Sequence, residues 1–227
     1  MDFQDTNTKV LLLVIVVLTV ILIGGAVFIG GQPPAATPTT TVNVSGVKIE
    51  GNPFVGLTNA PVTVMEFADY QCPACKQFES NALPQIIKDY VATGKVKIVF
   101  KDFAFIGPDS QMASLVARAV WEVAPEKFYE WHAAAFKAQA AENSGWAKKE
   151  TLVALAKTLG IDADKVNKLM VDNAVSYQTS IDADKTEGVS FGIQGTPSVI
   201  IGNRLIYGVT SYDAVKSMIE AQLNKNP

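Results

Sequence analysis

The run Val64-Met65-Glu66-Phe67-Ala68-Asp69-Tyr70-Gln71-Cys72-Pro73-Ala74-Cys75 decides how this chain is read, because it passes from a strand pattern into a helix start and holds both cysteines of the 227 residues. Pro61 to Asp69 (PVTVMEFAD) is short, β-branched and apolar, the signature of a strand. Cys72 stands where a following helix is capped. Pro73 takes the first helical position, where a missing N–H costs nothing and the fixed φ preorganises the turn. Two cysteines three apart at a helix start share one face, close enough for a bond that needs Cα atoms ~4.4–6.8 Å apart. Free N–H groups and the helix dipole favour a thiolate on Cys72, the species that attacks a disulfide, and Cys75 one turn on is placed to resolve the mixed disulfide. Two cysteines scattered at random over this length fall at this spacing roughly once in a hundred. Plainer roles are weaker. A structural disulfide closing so small a loop stabilises little, and a structural metal site wants four nitrogen or sulfur ligands, which two cysteines and the single His132 do not supply.

Working outward, Cys75 to Val91 has helical periodicity, with Phe78, Ala82, Ile86 and Tyr90 at steps of four and Gly94 as a stop. Lys95 to Phe103 (KVKIVFKDF) reads as a second strand. From about Asp109 to Lys185 the charged, alanine-rich sequence reads as several helices, broken at Pro125, at Asn143-Ser144-Gly145 and at Gly160, with Asp162 as a cap. Ser198 to Ile201 and Arg204 to Tyr207 are strands around the turn signal Gly202-Asn203, and Ser211 caps an amphipathic helix to Leu223. The order is strand, helix, strand, helical block, strand, strand, helix. A net charge of −3 argues against a nucleic-acid partner, and two cysteines exclude a disulfide scaffold.

The amino-terminal part differs in kind. Residues 1–9 form a short tail, and Lys9 is the last charge before Lys48. Val10 to Gly31 is apolar apart from Thr19; 22 helical residues span about 33 Å, against a hydrocarbon core of roughly 30 Å. The reading is an uncleaved transmembrane anchor, N-terminus inside, rather than a cleaved signal, whose apolar region is usually ~7–15 residues. Residues 32–46 (QPPAATPTTTVNVSG) lack charge and read as an extended tether, leaving 47–227 as the domain that contains the chemistry.

The run from Val64 to Cys75 resembles the active-site segment of the extracytoplasmic thiol-disulfide oxidoreductases related to bacterial disulfide-bond protein A, the DsbA-like family of the thioredoxin-fold superfamily. The likeness continues through Phe128-Tyr129-Glu130-Trp131-His132 and Gly192-Ile193-Gln194-Gly195-Thr196-Pro197-Ser198-Val199. It implies an α/β thioredoxin-like fold with a helical insertion, about 108–175, after the second core strand. It also implies that Cys72 is the exposed nucleophile and Cys75 its buried partner, with Pro73 and Ala74 between them. Pro197 matches a cis-proline lying against the pair, and Thr196 the residue whose backbone pairs with substrate. Glu66 matches a buried acid that relays protons to the resolving thiol. From the strand pattern alone, Val62, Val64 and Glu66 share one face, where burial would raise a carboxyl pKa, although a solvated place at the strand end is the plain alternative.

Lys101 is a candidate partner for Glu66, but a solvated lysine is the commoner case. His132, Met112, Trp121 and Trp146 read as helix packing. Two departures stand out. The residues between the cysteines are Pro-Ala where strongly oxidising members carry Pro-His, which removes a donor from the thiolate and implies a less acidic Cys72. The second strand exits as Lys101-Asp102-Phe103-Ala104, where many relatives place a proline last. The expectation is a membrane-anchored, monomeric oxidoreductase with no cofactor and no metal. Its partners would be cysteine-containing substrate proteins and a membrane redox partner, a quinone-linked oxidase or a thiol reductant. A reductase or isomerase, and a tethered peptide-binding module with an inert disulfide, remain alternatives.

Overall fold

Alternating β-branched and aromatic residues build the centre of the sheet. The computed structural model of the protein describes residues 39–45, 47, 49–208 and 211–225. In it β3 (Val62–Ala68) runs parallel to β4 (Val96–Asp102), antiparallel to β5 (Ser198–Ile201), and β5 pairs with β6 (Arg204–Tyr207). Two strands of two residues complete the edges. β1 (Thr40–Thr41) joins β6 and β2 (Phe54–Val55) joins β4, giving the order β1-β6-β5-β3-β4-β2. All four inner strands agree with the sequence reading, and Gly202 turns the β5–β6 connection at φ +59, a conformation that costs glycine little.

The edge strands correct it. Thr40 and Thr41, read as tether, lie in register with Leu205 and Arg204, and Val42 is buried, so the end of that segment belongs to the sheet. The anchor and the rest of the tether lie outside the described residues. Among the described residues no helix is long and apolar enough to cross a membrane.

The cysteine helix is also broken where a single helix was expected. α1 (Pro73–Asn81) stops before α2 (Leu83–Ile86), and a π-turn, Ile87–Val91, follows. Pro84 has no N–H for the carbonyl four residues back, which ends α1, and the chain resumes with Ile86 N–H bonded to Ala82 O at 3.1 Å. The helical block is α3 (Pro108–Val123), a 3₁₀ turn (Pro125–Lys127), α4 (Phe128–Ala138), α5 (Lys149–Thr158), α6 (Ala163–Asp172) and α7 (Ala174–Ser190). The breaks at Pro125, Asn143–Gly145 and Gly160 fall as read, and Asp162 caps α6 by accepting from Lys165 N–H. α8 (Tyr212–Leu223) closes the fold with Ser211 as its cap.

The sheet is covered on both faces. Val62, Val64, Ile98, Val199 and Ile201 pack under α1, α4 and α8 in the larger core, while Met65, Phe67 and Ile200 face a smaller one with Phe103. Phe67 lies where α7 passes closest: a side chain on Gly188 would meet Phe103 at 2.9 Å, so only glycine lets the helix sit there. Glu66 is on the larger-core face, flanked in register by Phe100 and Val199.

Candidate active site

The turn between β3 and α1 is shaped from beneath by Asp69. Its buried carboxylate accepts from Gln71 N–H (2.7 Å), Phe105 N–H (2.8 Å), Ile106 N–H (3.1 Å) and the Ser110 hydroxyl (2.6 Å). Gln71 ties the same turn to the helical block, donating to Ser110 Oγ and accepting from Asn143 N–H. Gln139, at the end of α4, donates to the carbonyls of Tyr70 (2.7 Å) and Cys72 (3.1 Å). Asp69, Gln71 and Gln139 therefore hold the cysteine loop, and the sequence pattern singles out none of them.

Cys72 caps α1 with φ −71° and ψ 119°, and Pro73 is the first helical residue, as the motif implies. The thiols are unpaired, and Cys72 is less open than its match to an exposed nucleophile implies: it is 8% exposed against 0% for Cys75. Their acidities diverge. The Cys75 thiol beside it is the main cause that lowers Cys72 to about 6; burial opposes this, and Thr196 with the N–H groups of Cys75 and Ala74 assists. Burial pushes Cys75 well above the ordinary thiol range, reinforced by the neighbouring Cys72. The pair thus holds one thiolate, on the outer sulfur, and one proton, on the inner. The missing imidazole has not left Cys72 an ordinary thiol.

Thr196 and Pro197 lie against the pair. The Thr196–Pro197 bond is cis, and Cys72 Sγ lies 3.4 Å from the Thr196 carbonyl oxygen, which accepts from the sulfur when it is protonated. The buried Thr196 hydroxyl has no partner other than the cysteine sulfurs among the described residues, which leaves it to donate to a thiolate there.

Glu66 is buried, at 1% exposure, so the solvated alternative does not hold. Its companion is Glu79 on α1, which the sequence reading missed. It lies four residues beyond Cys75 in the stripe Cys75, Phe78, Glu79, Ala82, and that spacing is the signal that could have found it. Burial drives Glu66 well above the ordinary carboxyl range, and Glu79 adds to this; burial raises Glu79 to about 8, opposed by a hydrogen bond from Glu66. His132 completes the group: Nε2 lies 2.9 Å from Glu79 Oε1 and Nδ1 2.7 Å from the Tyr70 hydroxyl. It is packed among Phe100, Phe128 and Phe136, as its helix implied. Side-chain donor and acceptor atoms of Glu66, Glu79 and His132 lie within 4.8 Å of one another, one compact buried group.

Lys101 is a correction. It is buried rather than solvated, with its ammonium 2.5 Å from Asp184 and 2.9 Å from Glu187. Arg118 on α3 joins the same network through Asp102 (2.6 Å) and Asp184.

The fold has counterparts among known proteins. A family model described as Thioredoxin matches residues 48–221. The chain belongs to the thioredoxin family, among its DsbA-like protein thiol-disulfide oxidoreductases. It is 34% identical over 176 residues to Disulfide bond formation protein D of Bacillus subtilis, covering 77% of this chain and 78% of that one. The structure of oxidised BdbD from Bacillus subtilis superimposes with a TM-score of 0.71 at 30% identity, covering 83% of this chain and 98% of that chain. The thiol-disulfide exchange protein alpha-DsbA2 from Wolbachia pipientis gives 0.67 at 28% identity, covering 76% and 87%.

Proposed function

We propose that the protein is a disulfide oxidase that works outside the cytoplasm, held there by residues 10–31, and passes the Cys72–Cys75 disulfide to reduced client proteins. The divergence of the two thiols carries this reading. A client thiolate attacks Cys72 Sγ; the Cys72–Cys75 bond breaks, and Cys75 leaves with the electron pair and takes up a proton, because burial disfavours its charge. Glu66 is the acid that supplies this proton. A second client thiolate then attacks the client sulfur of the mixed disulfide, and Cys72 leaves as a thiolate that its surroundings stabilise. The client loses two electrons and the cysteine pair gains them. A membrane redox partner, quinone-linked in this direction, restores the disulfide.

Thr196 and Pro197 form the ledge against which a client segment pairs, beside the sulfur it attacks. The name of the Bacillus subtilis relative, Disulfide bond formation protein D, supports the oxidising direction. The experiment is trapping with Cys75→Ala in cells. Mixed disulfides with client proteins accumulate through Cys72 and disappear in the Cys72→Ser, Cys75→Ala double variant; their absence from the single variant would end the proposal. For the location, a membrane-impermeant thiol reagent added to intact cells labels reduced Cys72, and protection of that thiol until lysis would contradict the assigned side.

A further inference from the structure

His132 is more than a packed ring. Neutral imidazole has one N–H and one lone pair, so its two short contacts must be one donation and one acceptance. It is neutral here, because the Tyr70 hydroxyl hydrogen has Nδ1 as its acceptor, which an imidazolium would deny it, and burial likewise lowers the ring to about 4 against the opposing pull of Glu66 and Asp102. Of the two ways to place the proton, only one satisfies every polar hydrogen in the cluster. With the proton on Nε2, the Tyr70 O–H donates to Nδ1 and Nε2–H donates to Glu79 Oε1, while the second Glu79 oxygen, which has no other partner among the described residues, is left to accept from a protonated Glu66 whose carboxyl lies within 4.8 Å. With the proton on Nδ1, the Tyr70 hydroxyl hydrogen loses its acceptor. A single proton on Glu79 would then have to serve both Nε2 and Glu66, leaving one contact as lone pair against lone pair. Buried unpaired polar groups cost too much for that arrangement to compete.

We propose that His132, oriented by Tyr70, is a positioning residue: when the two carboxyls share a single proton, it places the negative charge on Glu79 and leaves the proton on Glu66. This rests on the reading of Glu66 as proton donor to Cys75 and adds who keeps that donor loaded. The oxygens of Glu66 fit the assignment, since neither meets an N–H or O–H among the described residues and a proton on Glu66 itself converts one into a donor. The elements around the cluster contribute these charged or titratable neighbours, β5 alone of its strands adding none beside Glu66. Glu66 comes from β3, Tyr70 from the cysteine turn and Glu79 from α1. Tyr129 and His132 come from α4, Lys101 and Asp102 from β4, and Arg118 from α3. Of these neighbours, His132 is the one with a nitrogen at hydrogen-bond distance from Glu79, 2.9 Å.

The test reads the carboxyl carbons of Glu66 and Glu79 by carbon-13 NMR across pH, on full-length oxidised protein so that no thiol titrates, with assignments from Glu66→Gln and Glu79→Gln. Glu79 ionises first and Glu66 last. In His132→Phe the proton affinity of Glu79 rises about tenfold, a midpoint shift of ~1 pH unit. His132→Gln, whose amide N–H reaches close to the Nε2 position, returns it toward wild type. Tyr70→Phe, which frees the ring to exchange tautomers, gives a smaller rise and serves if the phenylalanine variant does not fold.

Glu66 ionising first, or an unmoved Glu79 midpoint in both His132→Phe and Tyr70→Phe, overturns the proposal. A glutamine variant indistinguishable from the phenylalanine one does the same. The redox reading fails separately, on trapping, whatever these titrations show.

Discussion

Two clusters of buried charge lie against β3 and β4, and they hold their charge in different ways. Glu66 and Phe100 are register partners on one face, Phe67 and Lys101 on the other. Around Lys101 cations are matched against carboxylates, two against three: its ammonium and the Arg118 guanidinium meet Asp102, Asp184 and Glu187, and burial still holds Asp184 above the ordinary carboxyl range. Burial disfavours the charge on Arg118, but Asp102 and Asp184 outweigh it, and its pKa lies above the ordinary value. Around Glu66 there is no such compensation: two carboxyls face each other and a neutral histidine, so the groups keep protons instead of charges. The first cluster ties α3 and α7 to the end of β4. The second reaches the cysteine helix through Glu79, one turn beyond Cys75.

The contrast can be broken from the matched side first. Arg118→Met leaves Asp102 and Asp184 without their guanidinium, and the loss of one partner of a buried pair costs about 3–5 kcal/mol; urea unfolding should show it, with the thiolate acidity of the folded fraction unchanged. A drop below about 1 kcal/mol would mean that the network is not a lock.

On the unmatched side the effect appears as pH dependence. Glu79 has a folded pKa raised to about 8, so its contribution to stability is full at low pH and is lost as pH rises through that value. His132, lowered to about 4, works the other way, its contribution growing up to its unfolded value of ~6.5. Above ~6.5 only the carboxyl effect remains. Oxidised protein should therefore lose stability between pH ~6.5 and 8, and Glu79→Gln should remove about 1–2 kcal/mol of that loss. A flat wild-type curve over this window would show that the pair is already ionised. Glu66→Gln should slow exchange with a reduced client peptide about tenfold, ~1.4 kcal/mol in the barrier, by stopped-flow fluorescence. An unchanged rate would remove Glu66 from the reaction. The exposed pair Lys168–Asp172 sets the scale: Lys168→Ala should change stability by less than about 0.5 kcal/mol.

Much of the fold and part of the site are legible in the amino-acid sequence, and the reasons are local. Strands β3 to β6, the caps at Asp162 and Ser211 and the cysteine helix start are written in short windows of residues. β1 and β2 are not, since two residues have no periodicity and their partners, Leu205 for Thr40 and Val99 for Phe54, lie far along the chain. Glu79 and the burial of Lys101 escape sequence reading for one reason. A charged residue on an amphipathic element reads as solvent-facing until its partners are known, and those partners come from other elements. Only the stripe through Cys75, Phe78 and Ala82 hints at Glu79.

The central claim is that this cysteine pair is arranged to give its disulfide away, and its reduction potential against a glutathione buffer tests that most directly. A thiolate held at about 6 on Cys72 stabilises the reduced form, so the potential is expected to lie above about −270 mV, toward the disulfide donors. A value near about −270 mV, where a reducing thioredoxin lies, would contradict the account.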